Sequence, residues 1–240
     1  MPRVLLLGLA AAILARGGTV GQGQPVLVEL FTSEGCSSCP PADALLARMD
    51  REQPIPGAQI IVLSEHVDYW NHDGWTDPFS SAAITTRQET YDRHFGLPGP
   101  YTPEMIVDGA TEFNGSDAHK AEAAIRSAAA APKVSVRIHG AQDGDAPVTV
   151  EVDPLPAGVH KANVYIAQAA DGGSSDVLRG ENKGRHLEHV AILKDVRQAG
   201  KITGREGFRK QVAVPRGTRL IVFVQEGDAG PVRGAAMFAR

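Results

Sequence analysis

Two cysteines separated by two residues, Cys36 and Cys39, are the only cysteines in the sequence. A run of apolar and β-favouring residues, 26–32, precedes them, and a segment of helical composition, 42–49, follows them. The order of strand, Cys-x-x-Cys and helix predicts that both sulfur atoms lie at the start of one helix. This is the setting in which a redox-active dithiol is expected.

The chemistry of such a pair depends on the first turn of the helix. The unpaired N–H groups of that turn and the positive end of the helix dipole favour anions, so a thiol there ionises readily. Thiolate is the reactive species in thiol-disulfide exchange. We therefore predict that Cys36 is the exposed attacking thiol and that Cys39 is the resolving thiol. Pro40 and Pro41 lack an N–H and fit the first turn, so the helix should begin there.

Other interpretations of the cysteines remain open. A fixed structural disulfide is one, although so short a loop removes little chain entropy. A copper or zinc site is another, because thiolate and imidazole suit both metals. The histidines that could complete it are His186 with His189, and His66 with His72. A binding module that keeps the cysteines as a structural disulfide is a third. Exchange itself implies no organic cofactor, because the electrons pass through sulfur alone.

The elements that must position the cysteines alternate between strand and helix. From Val26 the order is β, α, β, α, β, β, α, ending in an alanine-rich helix over residues 117–131. Such alternation indicates a partly parallel sheet with helices on its faces. We place a first domain at residues 25–131.

The pattern changes after residue 132. Short segments that alternate between apolar and polar residues follow one another, separated by Gly, Pro and Asp turns. No helical period is visible, so we predict an all-β sandwich over residues 132–240. The predicted fold is thus an α/β domain followed by a β-sandwich.

Two loops could form a rim around the cysteines. Both tryptophans of the chain, Trp70 and Trp75, fall in one loop after the second strand. Such rings serve either to contact a substrate or to fix a loop to the core. A second loop, 180–186, holds two glycines and the charged Arg185, and it could reach the cysteines or remain a solvated hairpin loop.

The N-terminus predicts export. Arg3 precedes an apolar run at residues 4–15 that is shorter than the about 20 residues needed to span a bilayer. We predict a signal peptide over residues 1–22 and a periplasmic or secreted mature protein, with an uncleaved anchor as the alternative. With a net charge of −4 and no basic stripe, nucleic-acid binding and docking to anionic membranes lack support. The expected partner is a protein or small molecule that carries a thiol or disulfide.

Four stretches carry a resemblance to a known family: FTSEGCSSCPPAD at 31–43, the loop at 70–75, YTP at 101–103 and GENKGR at 180–185. Together they resemble secreted bacterial thioredoxin-like proteins catalogued as domain of unknown function 1223. The resemblance implies a thioredoxin-like fold for the first domain.

The same resemblance implies a role for Thr102 and Pro103. Their peptide bond matches the X-Pro bond, usually cis, that precedes the third strand in thioredoxin-like proteins. A cis bond there would expose the backbone of Thr102 beside the dithiol, where a substrate segment could pair with it as an added strand. An ordinary trans proline is the alternative.

Overall fold

The structure is a computed structural model that describes residues 23–141 and 146–239. The signal peptide predicted over residues 1–22 lies outside the described residues. The helices are α1 (Pro40–Glu52), α2 (Ala82–Phe95) and α3 (Ala118–Ala130). The strands are β1 (Gln24–Thr32), β2 (Ala58–His66), β3 (Glu104–Val107), β4 (Thr111–Asn114), β5 (Val136–His139), β6 (Val148–Val152), β7 (Lys161–Asp176), β8 (His186–Thr203), β9 (Phe208–Val212), β10 (Thr218–Gln225) and β11 (Val232–Ala239).

The main sheet contains strands from both halves of the chain. Its order is β11-β10-β7-β8-β2-β1-β3-β4, while β5, β6 and β9 form a second sheet. β1 pairs in parallel with β2 and antiparallel with β3, and β7 and β8 form a long antiparallel hairpin. β8 joins β2 in parallel through the pair Ser64 and Ile192. One mixed eight-stranded sheet therefore runs through the molecule.

The predicted fold class, an α/β thioredoxin-like domain followed by an all-β sandwich, is wrong. Period-two alternation identifies a strand but not the strand beside it, so the pattern could not show that β8 pairs with β2. The second sheet does pack against the main sheet, with Val150 of β6 and Val222 of β10 in one apolar cluster. The boundary predicted between residues 131 and 132 falls after α3, and the independence of the two parts stays a prediction.

The local elements of the first half follow the predicted order. In β1, alternate residues enter opposite apolar clusters: Val28 and Leu30 pack towards α1 and α3, whereas Leu27 and Phe31 pack on the other face, which α2 covers. Because both faces are covered, the strand is apolar almost throughout. No helix in residues 23–141 or 146–239 has the length and apolar character that crossing a membrane requires.

Candidate functional site

The two cysteines form a disulfide at the start of α1. Cys39 is the N-cap residue, and Pro40 is the first helical residue, as predicted. The N–H groups of Ala42 and Asp43 donate to the Cys39 carbonyl oxygen at 2.9 and 3.1 Å. The disulfide therefore lies at the electropositive end of a 13-residue helix.

Both cysteines are buried. Cys36 is 1% exposed and Cys39 is fully buried, so the prediction of an exposed Cys36 is wrong. Two loops that follow distant strands pack against the cysteine turn. From one of them Trp70 packs so closely that a Cβ atom added to Gly35 would lie 2.9 Å from its Cβ. Burial by distant segments leaves no local pattern in the sequence.

Thr102 and Pro103 lie beside the disulfide. Their peptide bond is cis, and the Cys36 Sγ atom lies 3.8 Å from the Thr102 carbonyl oxygen. The indole N–H of Trp70 donates to the Thr102 hydroxyl at 2.7 Å. Three of the residues singled out from the sequence thus meet at Cys36, and their role towards a substrate stays a prediction.

The other two rim residues behave differently. Trp75 is half-buried, and its indole N–H donates to a carboxylate oxygen of Glu34 at 2.8 Å. Arg185 is exposed, and it takes part through its backbone: its N–H donates to the Asn182 carbonyl, and its own carbonyl accepts from Val177. The Arg185 side chain is not brought to the disulfide.

Asn182, which the sequence did not single out, makes the closest contact between its loop and the cysteine turn. Its side-chain amide donates to the carbonyl oxygens of Glu34 and Cys36, each at 2.9 Å. Beside it, a carboxylate oxygen of Glu181 accepts from the Ser37 N–H at 3.0 Å. The loop does reach the cysteine turn, as one of its two interpretations predicted. The signals at Asn182 were the two glycines that flank it and the resemblance carried by residues 180–185.

Buried ionisable side chains lie beneath the cysteine turn. His189 Nε2 is 3.2 Å from a Glu34 oxygen, and His189 Nδ1 is 3.9 Å from Asp43 Oδ1. His66 Nδ1 is 2.7 Å from an Asp77 oxygen, which also accepts from the Glu34 N–H at 2.9 Å. The two imidazole rings are 4.5 Å apart, centre to centre.

The surroundings of these groups change their pKa values. Burial raises the pKa of Asp43, although the nearby histidines oppose this. Burial alone would lower the pKa of His189, but the hydrogen bond with Glu34 and the charges of Asp43 and Glu34 together raise it. Burial alone would raise the pKa of Asp77, but the hydrogen bond and charge of His66 hold that pKa below its usual value. The cluster therefore favours a cationic His189 between two carboxyl groups.

A pocket of about 370 Å³ lies between α1 and the start of β8 and reaches this cluster. Asp43 and His189 line it, together with residues nearer the surface such as His186. His186 is exposed, and its Nδ1 is 2.7 Å from an Asp176 oxygen.

The predicted metal ligands are not gathered into one site. The cysteines are joined to each other, and His72 is exposed. His66 and His189 lie near each other but face carboxyl groups of the cluster. Among the residues that the structure describes, no three His, Cys, Asp or Glu side chains are grouped so as to hold a metal ion.

Two solved structures share the fold. Protein AGR_C_4864 from Agrobacterium tumefaciens is 27% identical with a TM-score of 0.73, and the match covers 91% of this chain and 96% of that one. HBP35 of Porphyromonas gingivalis is 14% identical with a TM-score of 0.58, over 91% of this chain and 76% of that one, which shows likeness of fold alone. No curated protein matches the chain. A family described as "Protein of unknown function (DUF1223)" matches residues 27–225, and the chain belongs to this family.

Proposed function

We propose that this protein performs thiol-disulfide exchange through Cys36 and Cys39. The observation that carries the proposal is the position of the disulfide at the N-terminus of α1, with the Cys36 sulfur 3.8 Å from the Thr102 carbonyl oxygen. A helix N-terminus stabilises a thiolate, and a backbone carbonyl beside the sulfur offers a place to hold a substrate chain.

The exchange proceeds in two displacements. A substrate thiolate attacks the Cys36 sulfur, the bond between Cys36 and Cys39 breaks, and Cys39 leaves as a thiolate at the helix end. A second substrate thiolate then attacks the substrate sulfur of the mixed disulfide and releases Cys36. The substrate gains a disulfide, and the protein gains two electrons as a pair of thiols. The reverse order reduces a substrate disulfide, and neither direction needs a cofactor.

The substrate in this proposal is a protein segment or small molecule that bears a thiol or disulfide. An extended segment would pair with the backbone at Thr102, beside the ring of Trp70. The proposed setting is periplasmic or secreted, because disulfides persist in oxidising compartments. The proposal uses the likeness to thioredoxin-like proteins only at the cysteine pair and Pro103, because the strand order of the main sheet differs from the predicted one.

Replacement of the cysteines tests the proposal. The wild-type protein should show a reversible dithiol-disulfide couple in glutathione buffers and should oxidise or reduce a disulfide-bonded substrate protein. Cys36→Ser should abolish exchange, whereas Cys39→Ser should trap a mixed disulfide through Cys36. Absence of a reversible couple, or full exchange by Cys36→Ser, would refute it. The reduction potential then gives the direction of electron flow.

The burial of both sulfur atoms favours a second candidate, a binding module with a structural disulfide. It predicts that Cys36→Ser and Cys39→Ser both keep partner binding, with loss of stability only. Turnover by the wild-type protein decides between the candidates, because a structural disulfide does not exchange repeatedly with a thiol or disulfide substrate.

A further inference from the structure

The loop 177–185, which joins β7 to β8, is a compact unit. Backbone hydrogen bonds within it run from Val177 N–H to the Arg185 carbonyl at 2.9 Å and from Gly184 N–H to the Val177 carbonyl at 2.8 Å. Asn182 closes a further turn by accepting from the Arg185 N–H at 3.1 Å. Because these bonds are internal, the loop can keep its shape when it moves relative to the cysteine turn.

One buried side chain attaches this loop to the cysteine turn. Between residues 178 and 186, Asn182 alone is buried, at 1% exposed, and the remaining residues are exposed. Its amide donates to the carbonyls of Glu34 and Cys36. A carboxylate oxygen of Glu181 also accepts from the Ser37 N–H, in a contact that is exposed to solvent. Val177, at the base of the loop, is also buried, at 1% exposed, and it is the loop's apolar anchor.

Two glycines flank Asn182 within the loop. Gly180 has φ +75° and Gly184 has φ +83°, a region that L side chains rarely adopt. A Cβ at Gly180 would also lie 3.0 Å from the Asp73 carbonyl oxygen, so the loop approaches the tryptophan loop closely there. Few contacts with the rest of the chain are a feature of segments that open locally.

Cys36 is closed to an attacking thiol in this conformation. Exchange requires a thiolate to reach one sulfur of the disulfide, and Cys36 is 1% exposed. We propose that Asn182 is a positioning residue that holds loop 177–185 closed over Cys36, and that release of its two hydrogen bonds admits the attacking thiol. The use of this opening in catalysis rests on the proposed exchange function.

The same contacts bear on the class of substrate. Release of Asn182 leaves two carbonyl oxygens, those of Glu34 and Cys36, without their donor. An extended peptide supplies backbone N–H groups that can replace the amide, whereas a small thiol does not. The opened site therefore favours protein thiols over small thiols.

The kinetics of reduction by dithiothreitol test this proposal in the full chain. Reduction can be followed through the fluorescence of Trp70 and Trp75, which lie at the site. If the loop must open before the thiol reaches Cys36, the rate of reduction should follow the population of the open loop. Loss of the two Asn182 hydrogen bonds should raise this population and the rate with it.

Asn182→Ala should raise the rate of reduction by dithiothreitol at least about tenfold, since each lost hydrogen bond changes an equilibrium by about a factor of five. Asn182→Asp, which places a carboxylate against the same carbonyls, should act in the same direction. Lys183→Ala, at an exposed neighbour in the same loop, is the matched control and should match wild type. Equal rates for wild type and both Asn182 variants would overturn the proposal.

A peptide thiol provides the second readout. A cysteine-containing peptide should react faster than a small monothiol of similar pKa, both in wild type and in Asn182→Ala, which frees the same two carbonyls. Equal rates for the peptide and the small thiol would refute the preference for protein thiols. Failure of the exchange function would leave these chemical rates intact, because reduction by dithiothreitol needs no catalytic competence. The two proposals can therefore fail separately.

Discussion

Glu104, the first residue of β3, is a buried carboxylic acid outside the disulfide site. It is fully buried, and one of its oxygens accepts from the side-chain amide of Gln88 at 2.6 Å. Burial raises its pKa from 4.5 to about 8, and the charges of Asp92 and Glu112 add to the effect. The folded protein therefore holds a proton there over a pH range in which the unfolded chain has lost it.

This proton makes stability depend on pH. Because the folded pKa is the higher one, the contribution of Glu104 is fully present below pH 4.5 and is lost as the pH rises to about 8. Glu104→Gln cannot titrate and keeps an acceptor for Gln88. We expect the difference in unfolding free energy between the variant and wild type to grow in favour of the variant as the pH rises from 4.5 to 8, by on the order of 3 to 5 kcal/mol in total.

Urea unfolding at a series of pH values measures this difference. Glu122→Gln is the control, because Glu122 is exposed and pairs with Arg126 on the surface of α3. Its removal should change the unfolding free energy by about 0.5 kcal/mol or less, with little dependence on pH. Parallel pH curves for wild type and Glu104→Gln would contradict the assignment of a neutral Glu104.

At the scale of single residues, the sequence reveals what is local. Cys36, Cys39 and the start of α1 can be predicted because strand, dithiol and prolines follow one another within a short stretch. The role of Asn182 cannot be predicted in this way, because its partner at Cys36 lies 146 positions away. An asparagine near two glycines is ordinary turn composition. The burial of Cys36 was missed for the same reason.

At the scale of the elements, α2 has a well-defined beginning. Ser81 is its N-cap, in an extended backbone conformation, and its hydroxyl accepts from the Ile84 N–H at 3.3 Å. At the other end, Gly96 adopts the left-handed conformation typical of a helix terminus. The cap supplies a partner for one of the N–H groups that the first turn leaves free.

Ser81→Ala should therefore destabilise the protein by about 1 kcal/mol. Thermal unfolding followed by circular dichroism measures the change. Ser127→Ala, at an exposed position inside α3, is the matched control and should be neutral or slightly stabilising, because alanine has the higher helix propensity. Equal losses for both variants would mean that the hydroxyl of Ser81 makes no contribution as a cap.

Elements could be predicted more fully than their pairing. The strand and helix order of the first half and the existence of most later strands follow from periodicity and turn residues. Periodicity does not show where β8 lies in the sheet. β8 belongs to the second half of the chain and contacts the first half through β2 and α1. The edge of β2 was open to any strand with apolar residues on both faces, so the wrong fold class followed from this one missing pairing.

At the scale of the molecule, one apolar cluster joins the two halves of the chain. Phe31 and Leu63 from the first half pack in it with Leu193 and Phe223 from the second. Phe223 is fully buried and stacks on Tyr165, with 5.2 Å between the ring centres. Loss of this ring should therefore weaken both halves together.

Phe223→Ala should cost about 3 to 5 kcal/mol, the usual range for truncation of a buried aromatic ring. Both tryptophans lie in the first half, so their fluorescence reports on that half in chemical unfolding. In Phe223→Ala, we expect the denaturant concentration at the fluorescence midpoint to fall by the same amount as the midpoint followed by circular dichroism. A fluorescence midpoint that stays at its wild-type value would show that the halves unfold separately. Leu178→Ala, at a side chain that is 67% exposed, is the control.

Part of the packing around the cysteine turn comes from late in the chain, and this has a consequence for biosynthesis. In a chain made from its N-terminus, Cys36 and Cys39 emerge long before Asn182, so both thiols meet oxidants and folding enzymes while nothing yet lies over them. Pairing of the cysteines can thus precede completion of the fold. A polypeptide cut short before the β7–β8 hairpin would lack the contacts that Asn182 makes with the cysteine turn.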